Sequence, residues 1–256
     1  MRKLMKKAWR LNKIIEPNKK RCLLVAFDHA VEHGPYEYEG INIDPLRIAK
    51  IAQEGMANAL IVHPGAARYI KKSCGIPLII KITGRTSLSP KIVQSITSTV
   101  EEAEYLGAVG VACTVYVGSE EEDRMLENLA FIKRECLKRG MPIIGFMYPR
   151  VKGKKKDDPR IVRYAARLGA ELGVDIVKTY YTGSKESFMK VVQDSNFVPV
   201  VAAGGEEKSE LEFLNMVRDI IDAGASGLAV GRNVWKRDNG SLVLKQIRRI
   251  VFGVYE

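Results

Sequence analysis

Lys178 lies in the run Val174-Asp175-Ile176-Val177-Lys178-Thr179-Tyr180-Tyr181, an almost wholly apolar stretch up to the lysine itself. A charged amine facing a packed interior is costly unless it is paired or gives up its proton. Burial, or a second cation such as Lys81, lowers its pKa from the usual ~10.4. The neutral amine that results attacks a carbonyl carbon and forms an imine. The competing reading is a lysine whose head snorkels out of the strand end into water. Imine chemistry also needs a proton carrier, and Asp28 and Tyr148 are the candidates. A carboxylate beside an imine orients or deprotonates a substrate hydroxyl, and a tyrosine among cations serves as acid and base in turn. Asp28 reads equally well as a helix cap or an ion-pair partner of Lys178, and Tyr148 as a rim aromatic with a wet hydroxyl. The residues alone leave open which of the two takes a substrate proton.

A second signal is a pair of glycine-bearing turns, Ala203-Gly204-Gly205 and Gly231-Arg232-Asn233. Glycine lets backbone N–H groups approach an anion, and a helix start behind it adds its dipole. Arg232 offers a guanidinium fork for phosphate oxygens. The acids Glu206 and Glu207 follow directly and must turn away from any phosphate held there. The stretch Lys152-Gly153-Lys154-Lys155-Lys156-Asp157-Asp158 reads as a solvated loop or as a basic lid over an anionic substrate. His29, His33 and His63 have no metal-ligand spacing, and His63 reads as a structural residue at a strand end. Cys22, Cys74, Cys113 and Cys136 form no Cys-x-x-Cys pair. No metal and no disulfide are therefore expected, and free thiols fit a reducing cytoplasm.

These residues need a frame that brings positions 28, 148, 178, 204 and 231 to one place. Short apolar runs at 23–27, 59–62, 78–82, 110–115, 142–147, 175–179, 199–202 and 227–230 alternate with helical patterns. The helices are expected at about 45–54, 65–72, a long stretch up to 106, 120–138, 158–172, 185–192, 209–223 and 242–252. Runs that are continuously apolar, rather than alternating, imply strands buried on both faces in a parallel sheet. Eight such units predict an α/β fold, a (β/α)8 TIM barrel in a single domain, 22–256. An open doubly wound sheet would place a glycine-rich turn after the first strand, and here that turn reads Asp28-His29-Ala30. In a barrel, chemistry gathers at the C-terminal ends of the strands, where the candidates fall.

Residues 1–21 form a separate arm. It holds nine basic side chains against the single acid Glu16, so most of the chain's net charge of +11 sits there. Leu4, Ala8, Leu11 and Ile15 recur at helical spacing, widened by Met5, Trp9 and Ile14, which predicts an amphipathic helix with a basic face. Such a helix plugs one end of the fold, packs on a neighbouring subunit, or serves as a nucleic-acid or membrane arm. The rest of the chain is nearly neutral, so no nucleic-acid partner is expected. No apolar run approaches the ~20 residues of a membrane span.

Five motifs in order are similar to one family. Phe27-Asp28-His29-Ala30-Val31-Glu32-His33-Gly34-Pro35, Met147-Tyr148-Pro149-Arg150, Val177-Lys178-Thr179-Tyr180-Tyr181-Thr182-Gly183, Ala203-Gly204-Gly205 and Val230-Gly231-Arg232-Asn233-Val234-Trp235 resemble archaeal-type class I fructose-bisphosphate aldolases. The resemblance spans about residues 20–250. It implies a metal- and cofactor-independent lyase of glycolysis and gluconeogenesis, acting on phosphorylated ketose and aldehyde substrates. Lys178 would be its Schiff-base lysine, Tyr148 its proton donor and Asp28 the acid beside the imine. Gly204, Gly205, Gly231 and Arg232 would hold one phosphate, with Ala203, His29 and Lys81 beside the substrate. His33 and Arg150 would lie near the second phosphate. A homo-oligomer, pentameric or decameric, is implied as well. The chain departs from the family pattern at Ala30 (a usual Gly), Phe146 (Trp in some members), Tyr180 (a usual Lys) and Glu206-Glu207 (a usual Pro-Lys). Related enzymes on the same scaffold act as transaldolases that make 2-amino-3,7-dideoxy-D-threo-hept-6-ulosonate, and they share two of the motifs. The run Glu32-His33-Gly34-Pro35 is closer to the bisphosphate aldolases.

Overall fold

The computed structural model describes residues 2–38 and 44–253. The first residue of the arm and residues 254–256 of the barrel domain lie outside the described residues. Eight parallel strands close into a barrel: β1 (Cys22–Phe27), β2 (Ala59–Val62), β3 (Leu78–Lys81), β4 (Gly110–Val117), β5 (Ile143–Pro149), β6 (Ile176–Thr179), β7 (Val200–Ala203) and β8 (Gly227–Val230). The helices are α1 (Arg2–Ile14), α2 (Ala30–His33), α3 (Pro45–Glu54), α4 (Pro64–Ile70), α5 (Val100–Tyr105), α6 (Glu122–Arg139), α7 (Pro159–Glu171), α8 (Lys185–Asp194), α9 (Glu210–Asp222), α10 (Arg232–Trp235) and α11 (Gly240–Phe252). Side chains alternate inward and outward along each strand. Leu24, Ile61, Ile79, Ile144, Ile176 and Val201 fill the inside. Leu23, Leu60, Ile80, Val111, Val177 and Leu228 face the helices. The same alternation carried upward makes Asp28, His63, Lys81, Tyr148 and Lys178 the next inward positions, so the barrel's upper layer is polar where its lower layers are apolar.

Three elements differ from the sequence expectation. The long helix before 106 does not form. Thr83–Gly84 pairs with Ser95–Ile96 in a small antiparallel hairpin, and only α5 is helical, capped by the Thr99 side chain. Ser87, Ser89, Pro90, Ser95 and Thr97 explain this, because hydroxyl side chains compete for the backbone and proline removes a donor. Strand β5 runs two residues beyond its apolar core, which makes Tyr148 and Pro149 part of the sheet. Two short helices, α2 and α10, follow the β1 and β8 turns directly.

Helix α1 crosses the N-terminal end of the barrel, with Ile14 fully buried in the inner layer. Only the C-terminal part of the predicted stripe is buried: Ile14 and Ile15 lie in the inner layer with Leu11 packed against it, whereas Leu4, Met5, Ala8 and Trp9 are exposed and Arg10 is buried. Arg10 donates to the carbonyls of Arg139 and Gly140 at 2.9 Å each and to Glu104 at 3.1 Å. Lys6 and Lys7 add ion pairs of 2.6 Å to Glu104 and Asp175. Hydrogen bonding by Lys6, Arg10 and Arg139 holds the Glu104 carboxyl down at about 2. Charged partners, rather than apolar periodicity, choose which side of this helix faces the protein. Among the described residues no helix is long and apolar enough to cross a membrane.

Candidate active site

The C-terminal mouth of the barrel opens into a cavity of about 500 Å³. Asp28, His29, His33, Lys81, Tyr148, Arg150, Lys178, Ala203, Gly204, Gly205, Gly231 and Arg232, all named from sequence, line it. Lys178 is 4% exposed, and its amine lies 4.0 Å from the centre of the Phe146 ring, the residue opposite it on β5. Burial pushes this amine down, Asp28 pulls it back up and Lys81 lowers it further, leaving it at about 8. The snorkelling alternative is thereby displaced: the lysine head stays inside.

Lys81 faces the same ring at 5.4 Å and is itself lowered by burial. Its amine donates to the Thr83 carbonyl at 2.7 Å, the Thr83 hydroxyl at 3.0 Å and the Gln94 side-chain oxygen at 3.4 Å. Gln94 in turn donates to the Tyr116 hydroxyl at 2.8 Å, and Tyr116 meets the Glu32 carboxylate. The irregular 83–99 segment therefore has a purpose: it carries the acceptors that fix Lys81. Burial would raise Asp28, but Lys178, His29, Lys81 and His63 outweigh it and hold the carboxyl below its ordinary range. His63, read from sequence as structural, also lines the cavity, and burial together with Lys81 pushes its imidazole down to about 4. Burial and surrounding anions keep Tyr148 well above the usual phenol range, so its hydroxyl is protonated.

One end of the cavity is built from the two glycine turns. Gly205 has φ of +71° and open space in front of its α carbon. A β carbon at Gly231 would come within 3.1 Å of His29 Cε1, so both positions need glycine. Asn233 ties the turns together. Its amide donates to the carbonyls of Gly204 (3.0 Å) and Glu206 (2.7 Å), and its oxygen accepts from the Lys208 N–H (2.9 Å). Trp235 donates to the Ala26 carbonyl at 3.1 Å and locks α10 to β1. The awkward acids find cations: Glu206 pairs with Lys156 at 2.7 Å and Glu207 with Lys236 at 2.8 Å.

Away from the glycine turns the cavity gathers His33, Arg85 and Arg150. Arg85 was not singled out from sequence. It is held 3.4 Å from Glu32, and its Nε is buried without a hydrogen-bond partner. The signal available was a cation just past the end of β3, hidden by the mistaken helix. A cavity with anion-binding groups at both ends and a lysine of lowered pKa between them can form an imine on a molecule carrying two anionic groups.

Compared along its length, the chain falls among known aldolases. A model of the DeoC/LacD family of aldolases matches residues 22–237, and the chain belongs to that family. It is 38% identical over 240 residues to the class 1 fructose-bisphosphate aldolase of Thermoproteus tenax, covering 91% of this chain and 90% of that protein. The protein of that name from Halobacterium salinarum is 34% identical over 238 residues, with the same coverages. A solved archaeal fructose-1,6-bisphosphate aldolase, its catalytic lysine covalently bound to the carbinolamine intermediate of the substrate, superposes with a TM-score of 0.90 at 35% identity. That match covers 96% of this chain and all of the solved one. The resemblance to archaeal-type class I fructose-bisphosphate aldolases carried by the five motifs is thereby shown.

Proposed function

We propose that this chain cleaves and forms fructose 1,6-bisphosphate through an imine on Lys178. The observation that carries the reading is the Lys178 amine, buried at about 8 and facing a cavity with cations at both ends. Neutral Lys178 adds to the C2 carbonyl of the ketose to give a carbinolamine. Tyr148, protonated at rest, gives its proton to the departing hydroxyl, and water leaves. Asp28, kept ionised, stabilises the iminium by charge. The Tyr148 phenolate then takes the proton of the C4 hydroxyl. The C3–C4 electron pair flows into the iminium, glyceraldehyde 3-phosphate departs, and an enamine remains. Tyr148 reprotonates C3, and water releases dihydroxyacetone phosphate and the free lysine. The Gly204-Gly205 and Gly231-Arg232 turns hold the ketose phosphate. Arg150, His33 and Arg85 hold the aldehyde phosphate.

Every step uses side chains of this chain, so the reading requires no metal or cofactor. From the family resemblance we further propose a cytoplasmic enzyme of glycolysis and gluconeogenesis, a homo-oligomer of five or ten chains measurable by light scattering. Incubation with fructose 1,6-bisphosphate and borohydride adds one sugar phosphate at Lys178, seen by peptide mass spectrometry. No adduct would remove the mechanism. An adduct without cleavage would point to transfer to another acceptor, as in the heptulosonate-forming transaldolases.

A further inference from the structure

Tyr180 touches both halves of this site. Its ring lies flat against Tyr148, centroids 4.4 Å apart and planes 14° from parallel. The Arg150 guanidinium lies 5.5 Å over the same Tyr180 ring and 4.7 Å over the Tyr116 ring, and its positive charge acts on the Tyr180 hydroxyl. Phe146 meets the Tyr148 ring from another side, tilted at 5.8 Å. A phenolic O–H prefers the plane of its ring, so whatever fixes the ring plane fixes the direction in which the proton is given or taken. Proton transfer is sensitive to displacements well below 1 Å, and a face-to-face aromatic neighbour restricts that plane. Arg150 is held by two aromatic rings, those of Tyr116 and Tyr180, with a bond of 2.7 Å to the Pro149 carbonyl. Removing the Tyr180 hydroxyl takes a polar neighbour from the guanidinium and leaves the ring stack in place.

We propose that Tyr180 is a positioning residue that serves two groups separately: its face aligns Tyr148 for proton transfer, and its hydroxyl aims Arg150 at the aldehyde-end phosphate. The inference rests on the reading of Tyr148 as proton carrier and of Arg150 as anion ligand. Two substitutions separate the part played by the ring from the part played by the hydroxyl. Tyr180→Phe keeps the ring and raises KM for fructose 1,6-bisphosphate roughly five-fold, the scale of one hydrogen bond to a charged group, with kcat within about two-fold. Tyr180→Leu raises KM similarly and also lowers kcat about ten-fold or more, a factor within the range one positioned acid–base group contributes. The same variant slows the exchange with deuterium oxide of a proton on the hydroxymethyl carbon of dihydroxyacetone phosphate, the carbon that is C3 in the bisphosphate. That half-reaction needs the imine and Tyr148 and involves no second phosphate. Should Tyr180→Leu fail to fold, Tyr180→Met removes the ring with a side chain that fills irregular space. Equal kcat and equal exchange rates in the Phe and ring-less variants would overturn the role of the face. An unchanged KM in Tyr180→Phe would overturn the role of the hydroxyl. Borohydride trapping at Lys178 separates this inference from the one beneath it. Trapping in wild type with no difference among the variants sinks only the role of Tyr180, whereas absence of trapping in wild type sinks the imine.

Discussion

Two lysines share one phenylalanine ring, and their charges are coupled. Lys81 is anchored by Thr83 and Gln94, and its cation is one of the causes that bring Lys178 down to about 8. Only unprotonated Lys178 attacks a carbonyl, so kcat/KM rises with pH through that value. In Lys81→Met the cation is gone, and the ascending limb moves to higher pH by roughly one unit. In Asp28→Asn the anion that held the ammonium is gone, so the limb moves the other way while the plateau falls for want of iminium stabilisation. A pH–rate profile of each variant checks these opposite signs, and shifts in the same direction would break the coupling. Lys178 was legible in sequence because a cation interrupts an apolar strand. The glycine-bearing turns at two strand ends, Gly204-Gly205 and Gly231, were legible for the same positional reason. Gln94, Arg85 and Tyr180 were not, since each draws its meaning from neighbours far along the chain that no local pattern reveals.

At the level of elements, continuous apolar runs separated by amphipathic stretches gave the strands and the order of the helices. The cases that failed share a cause. Around 83–99 and along α1, side chains are positioned by hydrogen bonds and ion pairs instead of by apolar burial, so hydrophobic periodicity misleads there. Arg10 shows the scale of what was missed. It is 6% exposed and satisfied by two carbonyls and a carboxylate. Arg10→Ala leaves the two carbonyls without this donor and takes one of three cations from Glu104, and costs about 2–3 kcal/mol. For a chain of this size that lowers the melting temperature by roughly 5–10 °C. The active site lies at the other end of the strands, so kcat measured well below the melting point changes less than about two-fold, as expected of distant sites that act independently. A thermal melt and one assay decide it, and a large loss of activity in folded protein would show that the two ends communicate.

The whole molecule carries a net charge of +11, concentrated at its N-terminal arm, while the mouth of the barrel has its own ring of cations. A sugar bisphosphate approaching that mouth is drawn in by a field that salt screens over about 10 Å at 0.1 M. Raising sodium chloride from ~10 mM to ~300 mM therefore raises KM for the bisphosphate several-fold and leaves kcat nearly constant. A KM indifferent to salt would mean that the arginines and lysines at the rim do not guide substrate.

The plug at the foot of the barrel has a consequence for traffic. Ile14 and the apolar layers above it seal the lower end, so among the described residues traffic runs through the upper mouth. On the proposed mechanism the aldehyde half, bound by no covalent bond, has to go first. The ketose half waits on its nitrogen until the passage has cleared and water has followed in. Run in the building direction, the queue reverses: the ketose is loaded before the aldehyde arrives, and an aldehyde that arrives early stands in its way.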